Sequence, residues 1–266
     1  MAPRTDDADL ARRFGGLARL YGVAGAKAIS EACVAVVGVG GVGSWTVEAL
    51  ARSGVGVLVL IDMDHVAESN INRQVHALSD TVGQAKVLAM RERIAQIHPA
   101  CRVETIEEFV DADNWPALLP EGVCAVVDAC DDRAAKVTLA AWARRGRLPF
   151  ITVGAAGGKR HAHRVQIEDL AQVTHDPLLA QVRNQLRRLH GAPREGRRIG
   201  IPCVFSTEPV AAVDASCAVE ASDGSLNCHG YGSVVSVTAT FGQCAAGWIL
   251  DTIATSGSEA FSRSQK

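Results

Sequence analysis

The sequence predicts an α/β fold, a mostly parallel sheet flanked by helices, and three observations carry that expectation. Short apolar runs alternate with helix-period runs through the first 155 residues. A glycine-rich turn, VVGVGGVGSW from Val36 to Trp45, joins the first such pair. Acids stand just past the ends of apolar runs, at Asp62 and Asp128, the edge where open parallel sheets meet their ligands.

The elements follow in order. Residues 32–37 form a short apolar strand that ends in the glycines, and Val42, Trp45, Thr46 and Ala49 then recur at helical spacing until Gly54 stops the run. Residues 55–61 are the next strand. Val87, Met90, Ile94 and Ile97 line one face of a helix that ends at His98-Pro99. Strands at 102–106 and 123–127, a helix at 134–145 and a strand at 149–153 complete the regular half.

The second half is less regular. A strand at 164–167 precedes a helix carrying Leu178, Leu179, Val182, Leu186 and Leu189. The basic loop GAPREGRRIG, the extended IPCVFSTEP and the glycine-rich NCHGYGS lead to an apolar helix at 233–250. No proline- or serine-rich linker separates the halves. The expectation is one domain over 1–266, with a nucleotide-binding half at about 30–155 and a substrate and dimer half at about 156–254.

Composition narrows the class. A net charge of -2 argues against nucleic-acid binding by bulk charge and leaves room for a local basic patch. The eight cysteines contain no C-x-x-C pair, so a zinc ribbon is not expected. The charged start, MAPRTDDADLARRF, is no export signal, and residues 233–250 are too rich in Ser, Thr, Ala and Gly to read as a membrane span. A cytoplasmic protein with free thiols and no membrane contact is the expectation.

Gly38, Gly40 and Gly43 give the G-x-G-x-x-G spacing, with Gly41 between them. The first glycine permits the turn, the second lets backbone N–H groups approach phosphate, and the third lets helix and strand pack closely. Asp62 is placed to accept hydrogen bonds from a ribose. Strand, glycines, helix, strand and acid within about thirty residues make a Rossmann-like nucleotide site. Cleavage of ATP further requires cations and a metal against the phosphates. Arg73 in SNINRQ and Lys86 in GQAK supply the cations, and VVDACDD supplies Asp128 and Asp131 at a strand end, suited to ribose or Mg²⁺.

GVGGVGSWTVEALARSGVG, LIDMDHVAESNINRQ, VGQAKV and VVDACDD together resemble the ThiF/MoeB/HesA-type adenylating enzymes, relatives of ubiquitin-activating enzymes. RFGGLARLYG, DPLLAQVRNQLRR, CVFSTEP and SVTATFG resemble that family's tRNA-modifying dehydratases, and the likeness runs from about Arg13 to Trp248. The resemblance implies a ThiF-type adenylating fold, a homodimer, and ATP with Mg²⁺. It places Gly38, Gly40, Gly41, Gly43, Asp62, Asp64, Asn70, Arg73, Gln74, Lys86, Asp128 and Asp131 around the nucleotide. Arg73, Lys86 and Asp131 are its catalytic residues, and Asp131 holds Mg²⁺. The substrate it implies is tRNA carrying N6-threonylcarbamoyladenosine, whose carboxylate is adenylated and then closes a ring with loss of AMP. Some members are linked to a cysteine desulfurase partner. Relatives reach the partner's ATP with an N-terminal arginine at a position where this chain, reading RRFGGLAR, has glycines, so Arg13 and Arg19 are the candidate substitutes.

Carrier-activating relatives often form thioesters, so cysteines are weighed as nucleophiles. Cys228, beside His229, is the candidate, against an ordinary packed thiol; Cys203 is a weaker one. His161 and His163, read on one strand face, lack a third metal ligand. Arg183, Arg187 and Arg188 on a helix, with Arg194, Arg197 and Arg198 in the next loop, form a basic stretch that suits an RNA backbone better than a mixed-charge surface. Two other readings stay open. One is an adenylyltransferase for a sulfur- or ubiquitin-like carrier protein, disfavoured by the missing zinc cysteines. The other is an NAD-dependent oxidoreductase, disfavoured by Arg73, Lys86 and Asp131.

Overall fold

The computed structural model describes residues 8–146, 148–194, 196–212 and 231–264. Its centre is a seven-stranded sheet in the order β3-β2-β1-β4-β5-β7-β6. The strands are β1 (Cys33–Val37), β2 (Val57–Ile61), β3 (Arg102–Ile106), β4 (Ala125–Asp128), β5 (Phe150–Val153), β6 (Val165–Asp169) and β7 (Pro202–Ser206). All neighbours pair in parallel except β6, which runs antiparallel to β7. The chain leaves β1 toward β2 on one side and returns to β4 on the other. That reversal opens a crevice at the carboxyl ends of β1 and β4.

Six helices cover the sheet: α1 (Leu10–Glu31), α2 (Gly43–Arg52), α3 (Lys86–Ile97), α4 (Arg133–Ala143), α5 (Pro177–Leu189) and α6 (Val235–Ser264). Val34 and Val36 of β1 join Leu50, Met90 and Phe241 in the core on one face. Cys33, Ala35 and Val37 join Leu139, Leu179 and Leu186 on the other. Both faces of β1 are buried, which is why it reads as an unbroken apolar run rather than an alternating one.

Strand and helix positions agree with the sequence reading to within a few residues, with two exceptions at the ends of the chain. Helix α1 is not foreseen, because Gly15, Gly16, Gly22 and Gly25 blur its period; Asp9 caps it, and Gly22 breaks it with a φ of 74°. Helix α6 extends well past residue 250. Its small residues allow close contact with α2: the Thr46 hydroxyl donates to the Gly242 carbonyl at 3.2 Å, and a Cβ on Gly242 would stand 2.6 Å from the Val42 carbonyl oxygen. Among the described residues, no helix is long and apolar enough to cross a membrane.

Candidate active site

The glycine loop fills the crevice mouth. Gly38 turns with a φ of +83°, and a Cβ there would meet the Cys130 backbone at 2.7 Å. A Cβ on Gly43 would lie 1.8 Å from the Gly38 carbonyl oxygen, so only glycine admits this packing of α2 on β1. No side chain caps α2; in its first turn the Ser44 and Trp45 N–H groups donate to the Gly40 and Val42 carbonyls at 3.0 and 3.1 Å, which closes the glycine loop onto the helix.

Asp62 follows β2 directly. Its carboxylate accepts from the Val39 N–H at 2.6 Å and the Asp64 N–H at 2.9 Å, which ties the glycine loop to the second strand. Burial raises its pKa above the ordinary carboxylate range, opposed by Lys86 and by those two amides. Lys86 opens α3, is 6 % exposed, and donates to Asp64 at 2.6 Å. The fold therefore brings Gly38–Gly43, Asp62, Asp64 and Lys86 to one place.

The SNINRQ segment lies across the loop. Asn70 is buried and its side-chain oxygen accepts from the Ala67 N–H at 3.0 Å. A Cβ on Gly41 would touch the Arg73 side chain at 3.4 Å, while the Arg73 guanidinium donates to the Ser69 carbonyl at 2.6 Å. Trp45 Nε1 and the Thr238 hydroxyl both donate to the Arg73 carbonyl, so α2 and α6 fix the segment. Gln74 is buried beside Gly40, with its Oε1 unpartnered.

The VVDACDD acids divide into three roles. Asp131 is exposed past the end of β4, and Asp132 caps α4 by accepting from the Ala135 N–H at 2.7 Å. Asp128 departs from its expected role as a nucleotide or metal ligand. It is fully buried, 3.0 Å from Lys136 Nζ and 2.6 Å from the Thr152 hydroxyl. A carboxylate already satisfied inside the sheet is not presented to ribose or Mg²⁺. Burial opposes the charge on Lys136, but Asp128 beside it lifts the ammonium pKa above its usual value.

Lys136 and Lys159 are buried cations that sequence reasoning missed. Lys159, 2 % exposed, donates to the His175 carbonyl at 2.8 Å and to the Glu208 carbonyl. The Glu208 carboxylate in turn accepts the N–H groups of Arg160 and His161. The loop after β5 is thereby bolted to the segments before α5 and after β7. A lone lysine in GGKR carries no signal of this, because its partners are backbone carbonyls far away in sequence.

The remaining candidates fall as follows. Cys203 is buried and its thiol is pushed well above the ordinary pKa by burial, which makes it an inert packed thiol. Cys228 lies outside the described residues. His161 and His163 border a single 3-10 turn, not a strand face, with ring centroids 5.5 Å apart. No metal-holding group of three His, Cys, Asp or Glu occurs among the described residues. Arg188, Arg194 and Arg197 are exposed. Arg198 is exposed as well, 3.8 Å from Asp169, whereas Arg183 donates to the Leu170 and Val173 carbonyls and Arg187 donates to the Pro193 carbonyl.

Comparison with known proteins matches this architecture. The ThiF family model covers residues 12–265. The chain is 44% identical over 239 residues to the tRNA threonylcarbamoyladenosine dehydratase of Escherichia coli (strain K12), covering 87% of this chain and 89% of that protein. The enzyme of the same name from Haemophilus influenzae is 41% identical over 246 residues, 91% of this chain and 93% of that one. The solved E. coli enzyme in complex with ATP superposes with a TM-score of 0.85 at 40% identity, over 95% of this chain and 98% of that one.

Proposed function

The chain belongs to the ThiF family, and from that premise we propose that it is an ATP-dependent tRNA threonylcarbamoyladenosine dehydratase. The observation that carries the proposal is the convergence of Gly38–Gly43, Asp62 and Lys86 at the β1–β4 crevice. It stands within a fold that matches the dehydratases over nearly its whole length.

The chemistry needs two displacements. The threonyl carboxylate attacks the α-phosphate of ATP, a P–O bond to the β-phosphate breaks, and pyrophosphate leaves. A nitrogen of the same modification then attacks the activated carbonyl, loses its proton and expels AMP. The carboxylate oxygen departs with AMP, so one water is lost overall. Intramolecular attack has a high effective concentration and requires no enzyme nucleophile.

This chain's residues bind and orient. The backbone of the glycine loop and the side chains of Lys86 and Arg73 are the donors for the phosphates, and Asp62 is the acceptor for the ribose. Asp131, the VVDACDD carboxylate left exposed and unneeded for capping, fits a hard cation that keeps most of its waters. Bound there, Mg²⁺ would neutralise charge on the phosphates. Arg188, Arg194 and Arg197 form the RNA-facing part of this proposal.

A homodimer and a cytoplasmic setting belong to the same reading. Helix α1 exposes Leu20 and Val23, 74% and 79% accessible, beside its kink, and the six described cysteines are free thiols. A cysteine desulfurase partner is carried forward from the family resemblance alone. The experiment for the cofactor is calorimetry with ATP–Mg²⁺ and with NAD; tight NAD binding without ATP binding would overturn the adenylation reading.

A further inference from the structure

The second concentration of positive charge lies far from the glycine loop. Helix α2 runs from Gly43 at the crevice to Arg52, and α3 runs from Lys86 at the crevice to Ile97. At 1.5 Å per residue their far ends are roughly 15 Å from the site. There a cavity of about 430 Å³ is lined by Arg13, Phe14, Arg52, Arg93, Gln96 and Ile97.

The hydrogen bonds define its charge. Glu48 is 3 % exposed and takes both arginines of the helix pair: Arg52 Nε at 2.8 Å, and Arg93 through Nε at 2.7 Å and Nη2 at 3.0 Å. Arg13 donates to the Ile97 carbonyl at 2.6 Å, at the open end of α3. Three guanidiniums and one carboxylate leave two positive charges at a partly enclosed surface. Phe14 stacks edge-on against His98, with centroids 4.7 Å apart, and the buried His98 Nδ1 has no partner. Arginines that only closed helix ends or an ion pair would not need to share a cavity wall. Each guanidinium has five N–H donors, and the bonds above engage at most two on any of them.

We propose that the Arg13–Arg52–Arg93 cavity is a second phosphate-binding site, separate from the nucleotide loop, that takes a dianionic phosphoryl group. Planar guanidinium forks match phosphate oxygens, and two net charges match a phosphate dianion or one terminus of pyrophosphate. The group can arrive on an RNA backbone or as a free phosphoryl anion. The site does not depend on the adenylation chemistry.

The test is calorimetric titration of the full chain, pre-saturated with ATP so that the phosphate positions of the nucleotide loop are filled, using inorganic pyrophosphate as the probe. Wild type should bind one equivalent at the second site. Arg52→Gln should bind it at least tenfold more weakly, with ATP affinity unchanged. Arg93 is left in place so that Glu48 keeps a partner, and thermal melting checks that the variant folds. The salt dependence of tRNA binding by the same variant separates the sources. A shallower slope assigns the site to RNA backbone, and an unchanged slope assigns it to a free phosphoryl anion. Absence of a second binding event in wild type, or equal pyrophosphate affinity in the variant, would overturn the proposal.

Discussion

Lys86 sits at the first position of α3 with its ammonium 2.6 Å from Asp64 and close enough to Asp62 to oppose the rise in that carboxyl's pKa. Removing a preorganised charge of this kind costs about 3 kcal/mol of transition-state stabilisation, or roughly a hundredfold in turnover. Lys86→Ala is therefore expected to lower AMP release on modified tRNA by about that factor, with the melting temperature little changed. Steady-state kinetics with wild-type rates would remove Lys86 from the site. His76 gives a different test. It is 2 % exposed, both ring nitrogens lack partners, and burial, then Lys86 and Arg93, pull its pKa down to about 4. The folded imidazole stays neutral while the unfolded one protonates near the ordinary value of about 6.5. Its stabilisation is therefore complete above about pH 6.5 and is lost as the pH falls toward 4. Urea unfolding at pH 7 and pH 4.5 should show a smaller acid-side loss for His76→Leu than for wild type; equal losses would exonerate His76. The placement of Gly38, Gly43 and Asp62 was legible because it depends on position along one βαβ unit. The buried role of Asp128 was not, because it is set by Lys136 and Thr152, which β4, α4 and β5 bring together only on folding.

At the scale of elements, the entry to α2 is the tightest constraint. Gly43→Ala would drive a methyl group to 1.8 Å from the Gly38 carbonyl oxygen, so α2 must shift off β1. We expect severe loss of ATP binding and a destabilisation of several kcal/mol, in the upper range for single substitutions. Calorimetry and thermal melting check both, and wild-type values for both would contradict the packing described. Helix α5 carries the RNA claim. Because Arg183 and Arg187 are tied to carbonyls of their own neighbourhood, the cleaner variant is Arg188→Gln/Arg194→Gln/Arg197→Gln. It should weaken tRNA binding and lower the magnitude of the salt slope by up to about 3, with ATP affinity unchanged; an unchanged slope would mean these side chains do not touch phosphate. The period of α5 was readable because Leu179, Val182 and Leu186 share one buried face. Helix α1 was not readable, because its four glycines dilute the periodic signal and its contacts are largely with α6, over two hundred residues away.

Over the whole molecule, one sheet carries the two halves: β1 to β5 build the nucleotide crevice, and β6 and β7 extend its edge beside α5. The parallel order was foreseeable from strand–helix alternation, whereas the β6–β7 pairing joins segments more than thirty residues apart and leaves no local mark. This arrangement sets α5, the RNA-facing helix of the proposal, on the sheet that positions the ATP chemistry. The most direct measurement is mass spectrometry of nucleosides from tRNA bearing N6-threonylcarbamoyladenosine, incubated with the protein and ATP–Mg²⁺, with AMP quantified in the same reaction. The converted nucleoside should be lighter by one water, with one AMP released per nucleoside converted. Unchanged tRNA nucleosides, with AMP instead appearing on the C-terminus of a carrier protein, would contradict it.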